Sequence, residues 1–393
     1  MNDEALAAFS ERKKWIGEKL GIVLVSEEVF SHPEGEMSFL QSVYSKLRRH
    51  PKRIVFPDGN DPRVIRAARM FNDRELGVAV LIGNRAEIGR IAAANNISLD
   101  LIAIIDPETS SELPRFLQLA GSLERYRKIG AGDLRETLVK PNYFAAMMLQ
   151  NGHVDGLVGG ISSYSSSLLR PLLQLIKPLP HASVVSSAMI IAVPKPSFGD
   201  DGVLFFADCG MVPEPTVDQL ASIGVQTGLL ARQVFGSRPR IAFLSFSTHG
   251  SSSHPTVSKM AAAAVLAKQL ALKISGVEGL NDLMEIDGEL QADTAIVAEI
   301  AKIKSPESMV AGNANVLVFP DLNSGNIAAK LVHHLAGAHV YGQIILGLTR
   351  PAAELSRGTH SEDIAAIAAI VGLQAIEYRK LYPLSDDPMG GVK

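Results

Sequence analysis

A chain of 393 residues, 47% hydrophobic and 20% charged, is long enough for two ordinary domains and has the composition of a globular protein rather than a disordered one. Its formal net charge of −3 supplies no general attraction for nucleic acid or anionic lipid, so any anion site has to be assembled locally. The only cysteine, Cys209, rules out an intramolecular disulfide and a cysteine-rich zinc site, and fits a reducing compartment.

The first residues, MNDEALAAFSERKKW, carry acids where a secretory leader carries positive charge. The most apolar stretches, MAAAAVLA and IAAIAAIVGL, fall well short of the roughly 20 residues that cross a bilayer. A cytoplasmic location without membrane contact is therefore expected. Leu6, Phe9, Ile16 and Leu20, interrupted by Lys13 and with Trp15 nearby, make a patchy helical stripe. Packing on its own domain is preferred over docking to a partner.

From Arg53 onward, short apolar strands alternate with helical segments, the pattern of parallel β-α-β units. RIVFPDGNDPRVIRAARMF predicts strand, turn and helix, with Asp61 as N-cap and Pro62 at the first helical position. VAVLIGN, LIAIID, VDGLVGG, RIAFLSFSTHGSS, LMEIDGE, NVLVFPDLNSGN and QIILGL supply further strands, whose carboxyl ends lead into polar loops where α/β proteins bind ligands. Pro178 and Pro180 are the strongest local punctuation and mark the start of a candidate second domain.

No P-loop, G-x-G-x-x-G fingerprint, G-x-S-x-G elbow or H-E-x-x-H motif is present, which removes the best-marked nucleotide, hydrolase and metalloprotease classes. His333 and His334 are adjacent on a predicted helix and point about 100° apart, a poor metal pair. In MEIDGELQADTA, Asp287, Glu289 and Asp293 could present oxygens to a divalent ion, but Asp287 and Gly288 also suit a helix start, which is preferred.

Hydroxyl- and glycine-rich loops recur between strands and helices. Ser247, Thr248, Gly250 and Ser251 could offer hydroxyls and backbone N–H groups to an anion, as could Asn323, Ser324, Gly325 and Asn326; GGISSYSSSLLRP adds Arg170. In ELSRGTHSEDI, Thr359 and Glu362 have the spacing of a capping box, which leaves Arg357 and Asp363 unexplained.

DGLVGG, FADC, LSFSTHGS, DGELQAD, AGNANVLVFPDLNSGNI and LSRGTHSEDI occur in the order seen in phosphate acetyltransferases (phosphotransacetylases), and the chain resembles that family from about Ile54 to Ala375. The resemblance implies two three-layer α/β/α domains with a cleft between them, related to the isocitrate and isopropylmalate dehydrogenases. The expected division is an N-terminal extension (1–37), a discontinuous domain I (38–178 and 342–393) and domain II (179–341). A homodimer is the implied assembly. Ser356, Arg357, Gly358 and Asp363 fall on the family's Ser-Arg-Gly-x-x-x-x-Asp pattern. The resemblance assigns Asp363 as base for the thiol of coenzyme A, and Ser356 and Arg357 as stabilisers of the charge that develops on attack. Arg127 and Arg170 match arginines linked with the phosphate end. Coenzyme A or acetyl-CoA, acetyl phosphate and phosphate would be substrates, with no metal and no tightly bound cofactor.

The chemistry fits such residues: a thiol of pKa about 8.5 needs a positioned base, and a guanidinium donates two parallel bonds to a phosphate. A carboxylate at a helix start beside an arginine is, however, a weakened base. Departures from the family pattern include Gln343 for Pro, Leu346 for Gln, Ala353-Glu354 for Asn-Asp, Ala329 for Tyr, and Ser163-Tyr164-Ser165-Ser166-Ser167 for His-Ser-Thr-Ala-Asp/Asn. Leu346 and Ala353 remove hydrogen-bonding groups and keep two alternatives open: a butyryl-type transferase, and a silent module that senses acyl-CoA. A dehydrogenase of the related fold is the remotest, since no nucleotide fingerprint is visible.

Overall fold

The apolar runs form strands β1 (Lys52–Phe56), β2 (Gly77–Ile82), β3 (Ala103–Ile105), β4 (Gly156–Gly159), β5 (Ser186–Ala192), β6 (Val203–Ala207), β7 (Arg240–Leu244), β8 (Glu285–Leu290), β9 (Val316–Val318), β10 (His339–Leu346) and β11 (Ala352–Glu354). They belong to a computed structural model that describes residues 34–278 and 283–381. All eleven join one sheet in the order β3-β2-β1-β4-β11-β10-β5-β6-β9-β7-β8. The α/β class expected from the alternating pattern is therefore observed.

Strand direction divides this sheet. β3, β2, β1, β4 and β11 are mutually parallel, as are β6, β9, β7 and β8. Between the blocks, β10 pairs antiparallel with both β11 and β5, and β5 antiparallel with β6. The two blocks consequently run in opposite senses, and their carboxyl ends emerge at opposite edges of the sheet. The expected boundary between residues 341 and 342 falls inside β10.

Helix Pro62–Asp73 begins as the sequence predicts: the Asp61 carboxylate accepts the Arg63 N–H and Pro62 sits in the first turn. Its Val64, Ile65, Ala67, Ala68 and Phe71 are buried. Helix Ser361–Leu381 packs directly against it, with Ile364 through Val371 all buried, and its alanines let it lie close to β4. Gly156 permits that approach, because a Cβ there would lie 2.4 Å from Val371 Cγ1. Helix Glu34–Arg49 lays Phe39, Leu40, Val43 and Leu47 into this core, each side chain contributing about 1.5–3 kcal/mol by burial.

One local expectation is overturned. Asp287 and Gly288 lie within β8, not at a helix start; the next helix, Ala292–Ile296, is preceded by Gln291. Pairing of β8 along β7 outweighs the local helix signal. Among the described residues no helix is long and apolar enough to cross a membrane. The stripe from Leu6 to Leu20 lies outside the described residues.

Candidate functional site

Loops after β1, β4 and β11 converge at one carboxyl edge. Asp58 accepts the Gly160 N–H at 2.7 Å and the Ser162 N–H at 3.3 Å. Burial pushes the Asp58 carboxyl above its ordinary value despite those bonds, and the charge of Asp61 acts in the same sense. Burial would also raise Asp61, but hydrogen bonds and charge from Arg63 outweigh it and hold that carboxyl low. Ser162 Oγ adds a bond to Asp61 at 3.4 Å. Glu354, at the end of β11, is buried; this raises its carboxyl, opposed by a bond from the Ser165 hydroxyl.

The segment after β11 carries Ser356, Arg357 and Gly358, all exposed. The Thr359 hydroxyl donates to the Ser356 carbonyl at 2.8 Å, leaving the Ser356 hydroxyl to donate to Thr359 Oγ1 at 3.0 Å. The capping box expected of Thr359 is thus replaced by a local turn. The helix starts at Ser361, and the Ile364 N–H reaches the His360 carbonyl. Serine and threonine hydroxyls readily divert backbone groups in this way.

The Arg357 carbonyl accepts Arg63 Nη1 at 2.6 Å, while its guanidinium carbon lies 4.8 Å from the centre of the Tyr164 ring. The guanidinium makes no hydrogen bond to any described residue. Half-buried Asp363 follows in the first turn of the helix.

Arg170 is exposed on helix Ser165–Leu175, which starts from the Tyr164 loop; its charge lowers the Tyr143 phenol against the larger effect of burial, which raises it. Tyr126 and Tyr143 both donate to Gln174 Oε1, one turn beyond Arg170, at 2.7 and 3.2 Å. Arg127 follows Tyr126 directly, is exposed, and donates from Nε to the Ser122 carbonyl at 3.2 Å. This network ties the segment that carries Arg127 to the helix that carries Arg170. Neither makes a hydrogen bond or ion pair with Arg357 or Asp363.

The remaining predicted residues follow strands of the other block. Ser247 Oγ and the Gly250 N–H both donate to buried Glu289, at 3.0 and 2.6 Å. Thr248 Oγ1 accepts the Gln291 N–H at 3.0 Å, and Ser251 Oγ accepts the Thr248 N–H at the same distance. These groups fold their loop around a carboxylate. Asn326 Nδ2 donates to the Cys209 carbonyl at 2.9 Å, the Ser324 N–H to Asp321 at 2.8 Å, and Gly325 packs on the Asp208 carbonyl. Asn323 is exposed. Asp208 accepts the Ser187 hydroxyl and N–H groups of Gly210, Met211 and Val212, yet burial raises its carboxyl. Burial likewise pushes the Cys209 thiol up.

The acids of MEIDGELQADTA separate: Asp287 meets His249 and Ser308, Glu289 the serine loop, and Asp293 Lys304. Among the described residues no cluster of His, Cys, Asp or Glu has the grouping a metal ion requires. Leu346, Ala353 and Ala329 are all buried in hydrophobic clusters. Gln343 rests against Gly210, where a Cβ would overlap its amide. Sequence reasoning passed over Asp58 and Arg63, named Glu354 only as a departure from the family pattern, and weighed Glu289 as an oxygen ligand rather than as the acceptor that holds the serine loop. For the first two a signal existed, since PDGNDPR sets charges at a strand's carboxyl end.

The family described as "Phosphate acetyl/butaryl transferase" matches residues 38–372. The chain is 41% identical over 339 residues to a phosphate acetyltransferase of Thermoanaerobacterium thermosaccharolyticum, covering 86% of this chain and 100% of the relative. A phosphate acetyltransferase of Acetivibrio thermocellus is 40% identical over 339 residues, with coverage of 86% and 98%. A phosphotransacetylase structure from Streptococcus pyogenes superposes with a TM-score of 0.77 at 35% identity, covering 87% of this chain and 99% of that one. With the family matched across nearly all of the described fold, the chain belongs to the phosphate acetyl/butyryl transferases.

Proposed function

We propose that the chain is a phosphate acetyltransferase, moving an acetyl group reversibly between acetyl phosphate and coenzyme A. Asp363 takes the thiol proton; the sulfur attacks the carbonyl carbon; the carbon–oxygen bond to phosphate then breaks with its electron pair leaving on the phosphate. Arg357 and Ser356 stabilise the negative charge of the transition state, and Arg127 and Arg170 hold the phosphate end. One observation carries this reading: the Arg357 guanidinium is unbonded while its backbone is tied to Arg63 and its face rests on Tyr164, so its N–H groups remain for an anionic ligand.

Ser247, Thr248, Gly250 and Ser251 donate or accept internally, so their part is to fix their own loop around Glu289, at the other edge of the sheet from Arg357, and Asn323 is the more available of the second group. Division at residues 178 and 341 into two domains with an intervening cleft, a homodimer and a cytoplasmic setting belong to the same proposal. Coenzyme A is a substrate in it, not a resident cofactor. The departures that motivate a silent sensing module, Leu346 and Ala353, are in the core, which favours an active enzyme. Purified protein supplied with coenzyme A and acetyl, propionyl or butyryl phosphate should form thioester fastest with acetyl phosphate. Preference for butyryl phosphate would assign the butyryl type, and no turnover of any would reject the proposal.

A further inference from the structure

We infer that Tyr164 is a positioning residue for Arg357, an inference that rests on the acyl-transfer reading above. Tyr164 is 73% exposed, so packing in the core does not account for it. It also occupies the N-cap position of helix Ser165–Leu175 without making a side-chain cap bond. Serine, threonine, asparagine or aspartate would accept a backbone N–H there; the phenol does not, so the helix gains no cap from it.

What the ring does contact is the Arg357 guanidinium, at 4.8 Å from centroid to Cζ. A guanidinium lying on an aromatic face is attracted by the ring's quadrupole, and its in-plane N–H donors stay open at the edges. The loop that carries the ring is held. Asp58 grips the N–H groups of Gly160 and Ser162, Glu354 accepts the Ser165 hydroxyl, and the Ser167 N–H donates to the Tyr164 carbonyl at 2.8 Å. Arg63 fixes the backbone of Arg357 from the other side. Ring and backbone together limit the guanidinium to a small range of orientations before substrate arrives, which reduces the reorganisation needed as charge develops.

The test compares kcat and KM for acetyl phosphate and coenzyme A in wild type, Tyr164→Phe, Tyr164→Leu and Tyr164→Gln, with melting curves to confirm folding. Phenylalanine keeps the face of the ring; leucine keeps bulk and apolarity without it; glutamine keeps polarity alone. Tyr164→Phe should retain at least half the wild-type kcat, and both other variants should fall about three- to tenfold below it in kcat. The inference is overturned if Tyr164→Phe drops further, if either other variant stays within threefold of it, or if the loss is confined to KM. A wild type without turnover would instead sink the parent reading, and this one with it.

Discussion

Arg63 joins two segments 294 residues apart: its Nη1 donates to the Arg357 carbonyl at 2.6 Å while its Nη2 pairs with Asp61 at 2.8 Å. A planar fork can serve both partners; an ammonium on a flexible stem cannot hold the same geometry. Arg63→Lys should therefore lower kcat about tenfold, through a displaced Arg357, with little change in melting temperature. Steady-state kinetics beside a thermal melt checks this, and unaltered kcat would show that the Arg357 segment needs no such tether.

Arg170 should act on binding. Its guanidinium makes no hydrogen bond to a described residue and lies exposed, so Arg170→Ala is expected to fold normally. Loss of a charge-assisted contact should raise KM for acetyl phosphate about tenfold while leaving KM for coenzyme A nearly unchanged. Equal KM values for acetyl phosphate in variant and wild type would remove Arg170 from the phosphate end.

Glu289 holds the serine loop in place. Glu289→Ala would leave the buried Ser247 hydroxyl and the Gly250 N–H without their acceptor, a loss of about 2–4 kcal/mol. Urea unfolding measures it directly; a change below about 1 kcal/mol would mean that the loop finds other partners.

Glu354 makes stability depend on pH. Burial raises its folded-state pKa above the ordinary 4.5. Between those two values the native state holds a proton that the unfolded chain has released, so stability falls as pH rises through the window, and the deficit persists above it. Glu354→Gln removes the titration. The variant should melt higher than wild type at pH 8 and lose that advantage below pH about 4.5, where glutamic acid is neutral in both states. Melting curves at the two pH values that differ by the same amount would contradict this origin.

Much of this fold was legible because β1, β2 and β3 are short apolar runs closed by turn residues, and because Asp61-Pro62 is an unambiguous helix start. β5 and β6 were not singled out. VLFFA is buried at every position, so it shows no alternation to mark it as a strand. The antiparallel β10-β5 pair is set by tertiary pairing, and it sends the Ser247 loop to a different edge from Arg357, which no local pattern reveals. In the site, Arg357 and Asp363 stood out by motif. Tyr164, Asp58 and Glu354 act through contacts between segments far apart in sequence, and each looks like an ordinary loop or strand-end residue when seen alone.

The central claim is most directly tested by following thioester formation from acetyl phosphate and coenzyme A with wild type, Arg357→Ala and Asp363→Asn. Wild type should turn over, and each variant should lose about 10²-fold or more in kcat while melting as wild type does. A folded variant of either residue that works at close to the wild-type rate would contradict its assigned role, and a wild type that forms no thioester would contradict the account as a whole.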